Sequence, residues 1–251
     1  MTLPRPVIIA GNWKMNTTPF DASLLASDIA AATNVSGVVR VICPPFVSLE
    51  SVARALADTN VEVGVQNIHA EPFGAYTGEI SAPMVTMFAT WAIIGHSERR
   101  RDQGETDEQV GRKLLRCAEF GLRPIMCVGE QLEERQAGKA EDTVRAQLNA
   151  TFATVNAASA KAPEDLVIAY EPVWAIGTGL TPTTPEIAEI HAIIRNSLPG
   201  EGAASVRLLY GGSVKPGNAA EILSQPDVDG ALVGGAALDP EDFAAIVEAA
   251  G

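Results

Sequence analysis

Residues 168–179 read IAYEPVWAIGTG, an apolar run that ends at a single carboxylate, Glu171, and is followed by a proline and two glycines. The run 166–170 has the length and composition of a buried strand. Glu171 stands where that strand ends, which is where parallel α/β folds carry their functional groups. The stretch therefore predicts a strand of a parallel sheet with a carboxylate at its C-terminal edge. A buried loop with a surface glutamate is the alternative for this segment alone.

The loop after Glu171 is unusually apolar for a segment exposed to water. Pro172 stiffens its entry, and Gly177 and Gly179 give its exit conformational freedom. An apolar loop with these two ends is typical of a lid that closes over a site and excludes water. We predict that residues 172–179 cover Glu171.

Short apolar runs alternate with helical patterns along the 251 residues. Helix starts are predicted at the capping box that begins with Thr106, at Pro185 and at Asp239. This alternation predicts α/β architecture, a closed (β/α)8 barrel with a parallel eight-stranded core, and a doubly wound open sheet is the competing topology. No linker or charge block divides the chain, so residues 1–251 are predicted to form a single domain. The predicted strands are 7–10, 38–42, 61–65, 91–94, 124–128, 166–170, 206–210 and 231–233.

Composition limits the classes of function. The formal net charge is −13, with 31 Asp and Glu against 18 Lys and Arg, which argues against a nucleic-acid partner. The N-terminal apolar stretch is too short for a signal peptide, and no apolar run is long enough to span a membrane. The three cysteines are far apart, so we expect buried reduced thiols in a cytoplasmic protein and no metal site. These cysteines are Cys43, Cys117 and Cys127.

Polar residues and glycines follow five of the predicted strands. In a parallel barrel the C-terminal ends of all strands open on one face, so we expect these residues to converge there. They are Asn12 and Lys14 after the first strand, His96 after the fourth, Glu171 after the sixth, Gly211, Gly212 and Ser213 after the seventh, and Gly234 and Gly235 after the eighth.

Two glycine pairs after the seventh and eighth strands predict a phosphate site, because bare backbone N–H groups can approach an anion there. Each pair alone is more often a simple turn. Lys14 would supply a fixed positive charge, since the net charge of the protein repels anions. A solvated surface lysine is the alternative for Lys14 in isolation.

His96 is followed by Ser97, which we expect to cap the next turn and place the imidazole at the positive end of a helix. That field disfavours the imidazolium and leaves a neutral ring able to donate a hydrogen bond. A satisfied structural histidine is the alternative. Together, Glu171, His96 and Lys14 predict proton transfer beside a carbonyl: Glu171 takes a proton from carbon while the other two stabilise an enediolate.

Seven motifs distributed from residue 10 to the C-terminal region resemble the triosephosphate isomerase family. YEPVWAIGTG is the most specific of them, and the set taken together is more specific than any one member. The motifs are AGNWKMN (10–16), GHSERR (95–100), GETDEQV (104–110), CVGE (127–130), YEPVWAIGTG (170–179), YGGSV (210–214) and LVGGAAL (232–238).

The resemblance implies a (β/α)8 TIM barrel and a cofactor-free isomerase that interconverts dihydroxyacetone phosphate and D-glyceraldehyde 3-phosphate in glycolysis and gluconeogenesis. It also implies a cytoplasmic homodimer formed through the loop 66–79, with Tyr76 in the loop and Thr77 reaching toward the partner. The implied roles are Glu171 as base, His96 as electrophile, Asn12 and Lys14 as substrate contacts, Glu98, Ser97 and Cys127 as supporting residues, and Gly177, Ser213, Gly234 and Gly235 as phosphate-binding backbone. These acid–base roles are the known assignment for the family.

The chain departs from the family pattern just beyond the lid, where Leu180 and Pro182 replace a common lysine and alanine. Pro182 restricts the backbone at the exit of the lid, which affects how the lid moves rather than the chemistry. Two other functions remain open: a different barrel isomerase or epimerase of sugar phosphates, and a non-catalytic barrel that serves as a binding protein.

Overall fold

The computed structural model describes residues 5–178 and 180–251. The described part contains a closed barrel of parallel strands in the sequential order β1 to β8, with β1 paired to β8. The open-sheet alternative is thereby excluded. The strands are β1 Val7–Asn12, β2 Val38–Cys43, β3 Val61–Val65, β4 Trp91–Ile94, β5 Arg123–Val128, β6 Val167–Tyr170, β7 Arg207–Tyr210 and β8 Gly230–Val233.

Helices follow the strands and surround the barrel. Their predicted starts are confirmed: Thr106 and Gln109 exchange the two hydrogen bonds of a capping box, and Asp239 accepts the N–H groups of Glu241 and Asp242 at 2.9 and 3.0 Å. The helices are α1 Pro19–Ala32, α2 Leu49–Leu56, α3 Ala82–Val85, α4 Ser97–Gln103, α5 Asp107–Phe120, α6 Leu132–Gln136, α7 Ala140–Ala157, α8 Thr184–Ser197, α9 Pro216–Leu223 and α10 Pro240–Glu248. None of the described helices combines the length and the apolar character needed to cross a membrane.

The apolar core has two layers because alternate residues of each strand point to opposite sides of the sheet. The inner layer fills the barrel, and Ile8 and Ala10 of β1 contribute to it. The outer layer lies between the barrel and the helices and includes Ile9 of the same strand. The three cysteines are free and buried, as predicted. A filled interior leaves the C-terminal ends of the strands as the open surface where a site can form.

Charged side chains join the two ends of the chain below the seam between β1 and β8. Arg5 donates to Asp229 at 2.7 Å, although the two residues are 224 positions apart in the chain. Arg195 contacts the same carboxylate at 3.1 Å and Asp227 at 2.9 Å. In the seam itself, Gly230 has φ +143°, and a Cβ there would overlap the carbonyl of Ile8. Closure of the barrel therefore depends on residues from both ends of the sequence.

His191 is a buried histidine of α8 that packs against the outside of the barrel. Its Nδ1 donates to the carbonyl of Asp227 at 2.8 Å, and its ring meets that of Tyr170 edge to face. Its Nε2 is buried without a hydrogen-bond partner among the described residues. Burial lowers the pKa of His191 from 6.5 to about 4. The folded protein therefore holds this ring in its neutral form.

We expect His191 to make the free energy of unfolding depend on pH between 6.5 and about 4. Below pH 6.5 the unfolded chain binds a proton on this ring and the folded chain does not, so stability falls as pH falls through this window, by about 1.4 kcal/mol per pH unit at most. In the variant His191→Asn, an amide can still donate to Asp227 and the titration is removed. Urea unfolding at fixed protein concentration should give this variant a shallower pH slope. Equal slopes in the two proteins would contradict the assignment.

Candidate active site

A pocket of about 560 Å³ opens at the C-terminal end of the barrel, and we call it the mouth pocket. The structure brings eight of the predicted site residues together on its wall. They are Asn12, Lys14, His96, Glu171, Gly177, Ser213, Gly234 and Gly235. Convergence follows from the parallel topology, because every one of these residues lies at or beyond the C-terminal end of its strand or in the loop that follows it.

Glu171 is the most deeply buried carboxylate of the mouth pocket, with 2% of its surface exposed. Its Oε2 accepts the backbone N–H of Ser97 at 2.8 Å, and its Oε1 lies 2.9 Å from Nε2 of His96. Burial acts to raise the pKa of Glu171, but His96, the N–H of Ser97 and Lys14 outweigh it and hold the pKa below 4.5. Glu171 is therefore an ionised carboxylate near neutral pH and can act as a base.

His96 itself is the N-cap of α4, so the prediction that Ser97 caps this helix is wrong. Nδ1 of His96 accepts the N–H of Glu98 at 3.2 Å, and Ser97 is the first helical residue. An imidazole nitrogen accepts a hydrogen bond only when it carries no proton, so the ring proton lies on Nε2, which faces Glu171. Burial lowers the pKa of His96, while Glu171 and Glu98 raise it to a net value above 6.5. If the carboxylate of Glu171 moved away from Nε2, much of this increase in the pKa of His96 would be lost.

Lys14 is held by contacts to its backbone and to its ammonium group. Its Nζ lies 2.6 Å from Oε1 of Glu98, and its N–H donates to Oδ1 of Asn12 at 3.1 Å. Lys14 has φ +52°, an uncommon conformation for a residue with a Cβ. Gln66 braces it by donating to its carbonyl at 2.8 Å. The sequence interpretation missed this role of Gln66, and its position at the end of β3 was the available signal.

Gly211, Gly212, Gly234 and Gly235 form a glycine wall on the other side of the mouth pocket. At Gly211 a Cβ would lie 2.9 Å from Cγ of Glu171, and at Gly212 it would overlap the ring of Tyr210. Side chains at these two positions would therefore displace the candidate base or the strand end. The N–H of Gly211 donates to the carbonyl of Tyr170 at 2.7 Å, whereas at Gly234 and Gly235 the lack of a side chain lets an anion approach the backbone beside Lys14, an arrangement that binds phosphate.

The lid begins with a short 3-10 turn at Val173–Ala175. Trp174 donates its indole N–H to Oε1 of Glu130 at 2.8 Å, and Tyr170 donates to the same oxygen at 3.1 Å. Glu130 is fully buried, and burial raises its pKa. Gly177 is exposed at φ +71°. The predicted residue Gly179 lies outside the described residues.

Glu130 is a buried anchor for the lid that the sequence interpretation did not assign, although it ends the CVGE motif. Cys127, in the same motif, lies with its thiol beside Glu171, and burial raises the pKa of that thiol well above its ordinary value. Arg100 was also missed: it donates to the carbonyls of Gly95 and Cys127 at 2.7 and 3.2 Å. These contacts fix the C-terminal ends of β4 and β5, on one side of the strand that leads to the candidate base.

The loop 66–79 begins at Gln66, which contacts Lys14, but none of its residues lines the mouth pocket. Its tip is exposed, with Phe73 at 82% and Tyr76 at 46% of their full accessible surface, and Thr77 is exposed as well. The ring of Tyr76 packs on His69 at a centroid distance of 4.3 Å. Other large apolar side chains are exposed, namely Met15, Phe20, Leu24, Val47, Met84, Met87, Leu132 and Leu180.

A closed (β/α)8 barrel whose mouth carries a buried carboxylate, an imidazole, a lysine and a glycine wall defines a class: barrel proteins equipped for acid–base chemistry on an anionic substrate. Comparison with known proteins narrows that class. A family model described as triosephosphate isomerase matches residues 7–250. The chain belongs to the triosephosphate isomerase family.

Individual relatives match this chain over nearly the full length of both sequences. The chain is 48% identical to triosephosphate isomerase from Symbiobacterium thermophilum, over 98% of this chain and 97% of the relative. It is 47% identical to the enzymes of the same name from Hahella chejuensis, over 98% and 99% of the two chains, and from Rhodopirellula baltica, over 99% of each.

Proposed function

We propose that this protein performs the reaction for which its family is named, the interconversion of dihydroxyacetone phosphate and D-glyceraldehyde 3-phosphate. One observation carries the proposal: Glu171 is a buried, ionised carboxylate in contact with Nε2 of His96, in a pocket that also presents Lys14. A base, a hydrogen-bond donor and a cation on one wall are what proton transfer next to a carbonyl requires.

The mechanism starts when Glu171 turns from Ser97 and His96 toward the substrate. Its carboxylate removes a proton from the carbon next to the carbonyl, and the electron pair forms an enediolate. Nε2–H of His96 and Nζ of Lys14 stabilise the oxygen that gains negative charge. A proton then moves from the hydroxyl oxygen of the enediolate to the oxygen that was the carbonyl, and the protonated Glu171 returns its own proton to the neighbouring carbon, so that the carbonyl re-forms at the first carbon. Departure of the carboxylate also lowers the pKa of His96, which favours the neutral ring that donates.

Phosphate recognition is assigned to backbone groups rather than to arginine side chains. Gly177, Ser213, Gly234 and Gly235 line the mouth pocket and would donate their N–H groups to the phosphate. When the lid closes, Trp174 would leave Glu130 and Gly177 would move over the phosphate. Closure would exclude water and protect the enediolate.

The test is an isomerisation assay on purified protein with three classes of phosphorylated substrate: trioses, pentoses and anthranilate-linked sugars. We expect turnover of the triose phosphates alone. Turnover of another class would support the alternative of a different barrel isomerase. Binding of triose phosphate without turnover would support the non-catalytic barrel and overturn the proposal.

We further propose a homodimer formed through the loop 66–79, in a cytoplasmic protein whose chain folds as a single unit. Support comes from the exposed apolar tip of the loop and from Met15, which is 95% exposed next to Lys14. A partner loop that covered this surface would bury it and brace the backbone of Asn12 and Lys14.

Placing charge in the loop should break this dimer. In the double variant Ala75→Asp and Tyr76→Glu, burial of two carboxylates in an apolar contact would be strongly unfavourable. We expect a folded monomer with activity reduced at least tenfold, measured by sedimentation and the isomerase assay. Full activity from a sedimentation monomer would show that the site does not depend on a partner.

A further inference from the structure

The rim of the mouth pocket carries two charged residues without an assigned role. Lys215 lies on the wall next to Ser213, and Asp242 lies on the wall contributed by α10. Lys215 is exposed and precedes α9 as its N-cap, where its N–H donates to Asn218 at 2.8 Å. The backbone at Lys215 is thus fixed, while its side chain remains a point charge on a flexible stem.

The charge distribution makes this lysine unusual. The chain has five lysines and a net charge of −13, yet two of the five lysines line the mouth pocket. Lys14 is paired with Glu98 at 2.6 Å, so much of its field is cancelled before a ligand arrives. Lys215 forms no ion pair with any residue that the structure describes, and neither does Asp242. At the rim, the uncompensated charges are therefore one cation and one anion.

We infer that Lys215 attracts the phosphate-bearing substrate into the mouth pocket and that Asp242 opposes it. The inference rests on the proposed function, which supplies a dianionic substrate. A cleft with one uncompensated cation near the phosphate site raises the local concentration of anions against the repulsion of an acidic protein. Lys215 acts before the chemical step, on capture of the anion, so its effect belongs to kcat/KM rather than to kcat.

Low ionic strength is the condition in which this effect is measurable. At about 10 mM salt the Debye length is about 30 Å, so the charge of Lys215 reaches a ligand throughout the pocket. Lys215→Gln should lower kcat/KM roughly threefold to fivefold there, with kcat unchanged, as expected for one charge acting on a dianion through water. Asp242→Asn should raise kcat/KM roughly twofold. Both differences should shrink strongly at about 150 mM salt, where the Debye length is about 8 Å.

Lys161→Gln is the matched control. Lys161 is exposed, and it precedes β6, so it lies at the opposite end of the barrel. The control makes the same change in net charge and should leave kcat/KM within about 1.5-fold of the parent, since its distance from the pocket exceeds that of Lys215. An equal loss in both lysine variants would mean that net charge alone matters and would overturn the assignment to Lys215.

Binding of inorganic phosphate, measured by calorimetry, separates this inference from the proposed function. Lys215→Gln should weaken phosphate binding roughly threefold at low salt, whether or not the protein turns over a triose phosphate. If the parent protein has no isomerase activity but Lys215→Gln still weakens phosphate binding, the proposed function is wrong and the role of Lys215 is supported. Unchanged phosphate affinity together with unchanged kcat/KM would overturn the inference.

Discussion

Replacing Glu171 with aspartate is expected to lower kcat of the isomerisation by roughly 10²-fold or more while leaving phosphate affinity nearly unchanged. In the structure the glutamate side chain is long enough for its two oxygens to meet Ser97 at 2.8 Å and His96 at 2.9 Å. Aspartate is one methylene shorter, which withdraws the base by about 1 Å from any reacting carbon, and misplacement on that scale costs about 10²-fold.

The experiment compares steady-state kcat and calorimetric phosphate binding for the parent and for Glu171→Asp. Glu189→Asp is the control. Glu189 is exposed on α8, so this variant shortens a glutamate side chain in the same way but outside the mouth pocket. We expect the control to retain parental kcat. A parental kcat in Glu171→Asp would remove Glu171 from the role of base.

Lys14→Met should impair both substrate binding and turnover. Desolvated charge contacts of this kind contribute roughly 2–5 kcal/mol, so kcat/KM should fall by a factor between about 30 and 4,000. The loss has a second source in this structure. Without the ammonium group of Lys14, the carboxylate of Glu98 loses its partner at 2.6 Å, and its unpaired negative charge repels the anionic substrate.

That second source can be tested by adding Glu98→Gln to Lys14→Met. The double variant removes the unpaired carboxylate, so inorganic phosphate should bind it more tightly than it binds the single variant, while kcat stays low. Binding is measured by calorimetry at about 10 mM salt. If Lys14→Met alone retains parental kcat/KM under those conditions, Lys14 does not hold the substrate.

The barrel could be predicted from the sequence because the signals for strands and helices lie in neighbouring residues. Apolar runs and capping residues are read from neighbours in the chain, and Thr106 caps its helix through Gln109, only three residues away. Strand ends were less well predicted because pairing sets them: β1 continues to Asn12, which pairs with Cys43 of β2. The sequence could place the site residues on one face, since parallel topology alone brings strand ends together.

Contacts within the site were predicted less completely because they join distant residues through loop conformation. The N–H of Ser97 that holds Glu171 is a backbone group and has no sequence signature. Gln66 reaches Lys14 across 52 positions, and Trp174 reaches Glu130 across 44. Each of these contacts depends on the path of two loops at once, which a single-sequence pattern does not specify.

The seam between β1 and β8 has a consequence for synthesis on the ribosome. Synthesis runs from the N-terminus, so β1 is made before the other strands, whereas its second partner, β8, is made after all seven strands β1 to β7. Until then β1 has one unpaired edge, and the contact of Arg5 with Asp229 waits for a residue that is synthesised 224 positions later. Free edges invite pairing with other chains. The nascent protein is therefore an incomplete barrel until β8 has been made. During that interval, aggregation through the unpaired edge of β1 is a greater hazard than unfolding of the closed structure.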